Sequence, residues 1–200
     1  MTVEQYEPAC AALEAGLALY HALRVPVGEA NCLMYLGKAH LDAGASDEAE
    51  RVLAAAGEIF ARMGDHHGRA GVLAYLGDAQ RQAGKNREAG QTLAEALRLF
   101  DELADVASEG ETTNMYAAVA LADGDPVLAR QRYARGLRLA RQVGSGRDQA
   151  DALAGIAAAH QTEERDGAAR RQYARALAAY ESMNCDADAD RVRQALAGLG

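Results

Sequence analysis

The chain has no tryptophan and only two phenylalanines. The expected interior is therefore filled from Ala and Leu rather than from large rings, a composition suited to closely packed helices. Three prolines, Pro8, Pro26 and Pro126, leave long intervals free of breakers, and each sits near an expected helix start, where the ring is best tolerated. Cys10, Cys32 and Cys185 are odd in number and form no CxxC pair. This excludes a disulfide scaffold and fits reduced thiols in a cytoplasmic protein. No apolar run approaches the length of a membrane span, and the opening MTVEQYEPAC lacks the basic-then-apolar pattern of a signal peptide. The expectation is a soluble protein with no membrane partner. A formal charge of −8 disfavours general binding to nucleic acid. No strand pattern is readable, and so no strand-linked phosphate loop.

What is present is a repeat. The stretch Gly64–Gly84, GDHHGRAGVLAYLGDAQRQAG, returns 40 residues upstream as RVPVGEANCLMYLGKAHLDAG and 40 downstream as ADVASEGETTNMYAAVALADG. A third shift gives GSGRDQADALAGIAAAHQTEE. A fixed period of this size is the mark of stacked supersecondary units. In the first full repeat Leu33, Leu36, Gly37 and His40 form one helical stripe, which Gly44 can end in a left-handed cap. Ser46 is the expected N-cap of a second helix striped by Ala49, Leu53, Ala56 and Phe60. The next repeat copies both stripes. Gly37 and Gly77 each cost about 1 kcal/mol against Ala inside a helix, so their return at one frame position points to close helix contact.

The expected organisation is a single array over residues 1–200. A half repeat spans 8–24, full repeats span 24–64, 64–104, 104–144 and 144–184, and a capping helix spans 185–200, with Val192, Leu196 and Leu199 as its stripe. In the third repeat Thr112, Thr113, Met115, Tyr116 and Val119 stand where earlier repeats have Leu and Gly, and Gly110 sits near the helix start, so this first helix is the expected place for a bend or a special surface.

Helix pairs with Leu36-Gly37 in the first helix and Ala49, Leu53 and Ala56 in the second resemble the tetratricopeptide repeat (TPR), with a period of 40 in place of 34 residues. The resemblance implies an all-α fold, a right-handed superhelical solenoid of antiparallel helix pairs. The phrase IFARMGDHHGRAGVLAYLG also resembles the C-terminal sensor region of actinobacterial SARP-type and NB-ARC-containing transcription regulators. Nineteen Arg against two Lys fit a GC-rich genome.

In TPR arrays the first helices line a groove that binds a protein segment. By position the resemblance places there Asn31, Met34, Lys38 and Asp42, then Asp78, Arg81 and Gln82, with Leu41 and Ala74 between them. From the later repeats come Glu111, Asn114, Asp151, Gln161, Arg191 and Gln194. The expected partner is a protein, peptide or small effector carrying some positive charge. The alternative is a self-association scaffold, with Leu13, Leu17 and Tyr20 of the uncovered first helix as a homodimer surface. A minor alternative is nucleic-acid contact through Arg130, Arg132, Arg135, Arg138, Arg141 and Arg147, although ion pairs with neighbouring helices account for such a run more simply. No catalytic residue, cofactor or metal site is expected. Asp65, His66 and His67 are adjacent in a turn, but two neighbouring histidines rarely face one ion without further ligands.

Overall fold

The computed structural model describes residues 3–199, with side chains from Tyr6 onward. Among the described residues there are ten α-helices and no strand. They are α1 (Val3–Leu23), α2 (Pro26–Asp42), α3 (Ser46–Met63), α4 (His66–Gln82) and α5 (Asn86–Glu102). These are followed by α6 (Val106–Ala122), α7 (Pro126–Val143), α8 (Gly146–Thr162), α9 (Asp166–Ser182) and α10 (Asp186–Ala197). From α2 onward each helix begins twenty residues after the one before. The even-numbered helices are the first helices of the repeat, and the odd-numbered ones the second.

Chain reversal at each junction uses a residue in the left-handed region. Gly44, Gly64, Gly84, Gly124 and Gly144 take φ from 70° to 79°, and Arg24, Ala104, Glu164 and Asn184 take φ of 54° to 55°. At the end of α2 the amide of Gly44 donates to Leu41 O and that of Ala45 to His40 O, both at 2.9 Å. These paired bonds satisfy carbonyls that the helix end would otherwise strand. A β-carbon in this region costs roughly 1 kcal/mol. Glu164→Gly is therefore expected to raise stability by about 0.5 kcal/mol once the extra freedom of the unfolded glycine is deducted. Equilibrium denaturation measures it.

Helix starts are fixed less uniformly. Asp65, Asp105 and Asp125 cap α4, α6 and α7 by accepting from the amides of Gly68, Ser108 and Leu128. Ser145 caps α8 through Asp148 N. The expected cap at Ser46 is not formed: Ser46 is already helical, and Ala45 holds the cap position with no side-chain bond. Pro26 and Pro126 occupy first-turn positions. Pro8 does not, because α1 runs back to Val3 and encloses it. The third repeat's first helix, α6, is continuous from end to end, and the last helix runs from Asp186 to Ala197.

The helices group into two compact units that meet in sequence between Leu103 and Ala104. In the first, Ala49, Leu53, Ala56 and Phe60 of α3 are buried against Ala30 and Leu41 of α2 and Val72 and Ala79 of α4. A β-carbon at Gly37 would stand 2.5 Å from Leu53 Cγ, and one at Gly77 2.5 Å from Leu93 Cγ. The two glycines are thus what lets the second helix press its leucine onto the first. In the second unit Tyr133 and Tyr173 replace those leucines and Ala117 and Ala157 replace those glycines, all four buried. The Tyr133 ring takes its room at Gly155, where a β-carbon would come within 2.2 Å of Cζ.

Candidate functional site

In the first unit α2 and α4, the two first helices, pack against one another. Asn31, Asp42 and Gln82 are exposed, and Met34, Lys38, Asp78 and Arg81 are half-buried. Lys38 Nζ lies 3.4 Å from Asp42 Oδ2 and 5.8 Å from the centre of the Tyr75 ring, so it reaches from α2 to α4. Both oxygens of Asp78 are engaged on its own helix: Arg81 Nε donates to Oδ1 at 2.8 Å and Gln82 Nε2 to Oδ2 at 3.0 Å. Leu41 and Ala74 are buried and belong to the core. Tyr35, 52% exposed on α2, is a ring that the periodic stripes passed over. It stands one period before Tyr75, and that equivalence was the available signal.

In the second unit Glu111 and Asp151 are half-buried and Gln161, Arg191 and Gln194 exposed. Asn114 is buried. Its Nδ2 donates to Asp148 O at 3.0 Å, tying α6 to the first turn of α8. Gln161 accepts from Tyr173 Oη at 3.1 Å. Asp151 sits in a charged lattice. Tyr180 Oη donates to its Oδ1 at 2.5 Å, and Arg147 Nε approaches Oδ2 to 3.3 Å. Arg147 also reaches Asp188 at 2.9 Å, and Asp188 in turn holds Arg191 at 3.0 Å. Burial pushes the Asp151 carboxyl above its usual range, against the Tyr180 hydrogen bond and the Arg147 charge, which lower it.

A second polar group closes the other end of α8. Glu163 lies 3.3 Å from both His160 Nδ1 and Arg130 Nη2. Burial, with Arg165 and Arg130 adding to it, holds the His160 imidazole below its usual value despite the Glu163 contact.

The arginine run is largely spent inside the molecule. Arg130 meets Glu163, Arg135 meets Glu109 and Arg147 meets Asp151 and Asp188. Arg132 stacks on the Tyr116 ring, 3.6 Å from its centre. Arg135, Arg138, Arg141 and Arg147 are all exposed.

His66 and His67 open α4 rather than lying in a turn, and His67 meets the Phe100 ring edge-on at 6.1 Å. Among the described residues no group of three or more His, Cys, Asp or Glu side chains is placed to hold a metal ion. Among them, too, no helix is long and apolar enough to cross a membrane. Leu13 and Leu17 are half-buried. Tyr20 lies on Gly28, whose β-carbon would meet the ring at 2.3 Å.

The fold is similar to that of BtubC (BKLC) from P. vanneervenii, at 15% identity and a TM-score of 0.68, over 97% of this chain and 93% of that one. It is also similar to a Signal Transduction ATPase with Numerous Domains (STAND) protein with a tetratricopeptide repeat sensor from Pyrococcus horikoshii. There the identity is 16% and the TM-score 0.66, over 84% of this chain and 26% of the other. A Rap protein complexed with competence and sporulation factor matches at 12% identity and a TM-score of 0.69, over 98% and 58%. No family model and no curated protein matches the chain. Identities this low speak for the fold: an all-α, TPR-like helical repeat.

Proposed function

We propose that the chain is a non-catalytic binding module that takes a protein segment on the surface of its first helices, as the sensor or interaction part of a bacterial transcription regulator. The observation that carries this reading is the α2 and α4 surface. Two tyrosines one repeat apart lie on neighbouring helices, Tyr35 is half exposed, and Lys38 bridges toward Tyr75 beside the Asp42 carboxylate. Tyrosine is among the residues that most often anchor protein interfaces. With a net charge of −8 and the Asp42 carboxylate exposed, a basic segment fits this surface better than an acidic one. The tetratricopeptide repeat sensor of the STAND neighbour supports the sensor reading, and the Rap neighbour is itself complexed with a factor.

Peptide-library panning against the purified chain supplies the probe. The selected peptides are expected to be basic. Tyr35→Ala is expected to weaken them by about tenfold or more, the scale of an interface anchor, whereas Arg138→Ala on α7 leaves affinity unchanged. Equal affinity of Tyr35→Ala and the wild type sinks the reading. The regulator half is tested by the neighbouring coding region, which should supply a nucleotide-binding or DNA-reading domain.

A further inference from the structure

α7 differs from α3 and α5 in the sign of its outer charges. On α3, Arg51 and Arg62 each stand four residues after a carboxylate, Asp47 and Glu58, and on α5 Arg98 is paired with Glu102. At that spacing opposite charges attract. α7 carries five arginines and no Asp or Glu. Three of them, Arg135, Arg138 and Arg141, follow at intervals of three, and on α9 Arg171 and Arg175 lie four apart, so that like charges face one another. The helix dipole accounts for Arg141, in the last turn of α7, but not for the arginines inside α9. Both helices pack on α8. At 100° per residue Arg135 and Arg138, with Arg171 and Arg175 one repeat on, share an arc of about 60° on the outer side. All four are exposed, and the residues beside them, Gln131 and Gln142 on α7 and Ala174 and Ala178 on α9, are exposed and uncharged.

Arg135 is paired with Glu109. Arg138 donates to Ala134 O of its own helix at 3.3 Å and Arg175 to Gln172 Oε1 at 3.0 Å, and among the described residues no carboxylate meets Arg138, Arg141, Arg171 or Arg175. Glu181, which stands on α9 at the position of Arg141, is held by Arg193. We propose that this face of α7 and α9 binds an acidic segment of a partner protein, whose aspartates or glutamates supply the carboxylates that the two helices lack. The guanidinium fork grips a carboxylate at two points, which an ammonium cannot do. Nucleic acid fits the face less well. From Arg135 to Arg141 the charges span only about 9 Å along α7, whereas duplex binders commonly engage about six to ten phosphates. Tyr133, Tyr173 and Tyr180 are buried, so neither helix offers a ring on which bases could stack. A net charge of −8 also opposes a long polyanion more than a short segment.

Fluorescence anisotropy of a labelled octaglutamate peptide, titrated with the full chain at low salt, tests the face. Saturable binding is expected, weakening as salt is raised. The double variant Arg138→Glu, Arg175→Glu installs the residues that α3 and α5 carry at these positions, Glu58 and Glu95, and is expected to bind at least about tenfold more weakly. Arg51→Glu with Arg62→Glu on α3 changes the net charge equally and is expected to hold the affinity within about twofold. All four positions are exposed, so helix content by circular dichroism stays at the wild-type level. Absence of octaglutamate binding, or equal weakening by the two double variants, overturns the proposal. So does an octathymidylate strand that binds the wild type more tightly than octaglutamate, which would assign the face to nucleic acid. Tyr35→Ala leaves the octaglutamate affinity unchanged, which separates this surface from the one on α2 and α4.

Discussion

Leu93→Ala is expected to lower stability by about 3 kcal/mol, because Leu93 is fully buried and the vacated space cannot collapse between two rigid helices. Gly77→Ala is expected to cost about 1–2 kcal/mol: its β-carbon would stand 2.5 Å from Leu93 Cγ, and the overpacking outweighs the gain of up to about 1 kcal/mol in helix propensity. The double variant places the new methyl where the leucine branch used to be. Its cost is therefore expected to fall short of the sum of the two by about 1–2 kcal/mol. Gly57→Ala is the control. The nearest atom to its β-carbon would be Val72 Cγ1 at 3.4 Å, an ordinary contact, so propensity dominates and the variant gains stability. Urea denaturation of the four proteins measures the cycle, and strict additivity would mean that Gly77 is not held by Leu93.

The helix order, the 40-residue period and the close contact at Gly37 and Gly77 were legible because each leaves a mark that repeats. What the repeat did not carry was the identity of each face's neighbour. Asn114 shares its frame position with Met34 and Ala74, and as a polar residue it read as surface. It is buried because the carbonyl of Asp148, on the next first helix, meets its amide. The left-handed turns at Arg24 and Glu164 left no glycine to read, since the flanking caps hold these residues in place. On α1 the leucine stripe was visible in the sequence and marked the side facing α2.

Tyr180→Phe is expected to cost about 1 kcal/mol at neutral pH, the penalty for taking one of its two donors from a half-buried carboxylate. Tyr180 is fully buried and its hydroxyl donates to Asp151 Oδ1. Burial raises the Asp151 carboxyl above its ordinary value of 3.8, with the Tyr180 bond and Arg147 opposing the rise and Asp188 and Asp148 adding to it. Because the folded value is raised, the folded state holds this proton more tightly than the unfolded chain does. Its contribution to stability is therefore fully present below the ordinary value and is lost as pH rises through the folded one. Removing the hydroxyl takes away a lowering influence and lifts the folded value further. The deficit of Tyr180→Phe against the wild type is accordingly expected to be larger at about pH 7 than at about pH 4. In an Asp151→Asn background the group no longer titrates, so the deficit becomes independent of pH. Denaturation midpoints of the four proteins across that range decide the matter: a pH-independent deficit with Asp151 intact would show that the hydroxyl serves the packing of α9 and not the carboxylate it touches.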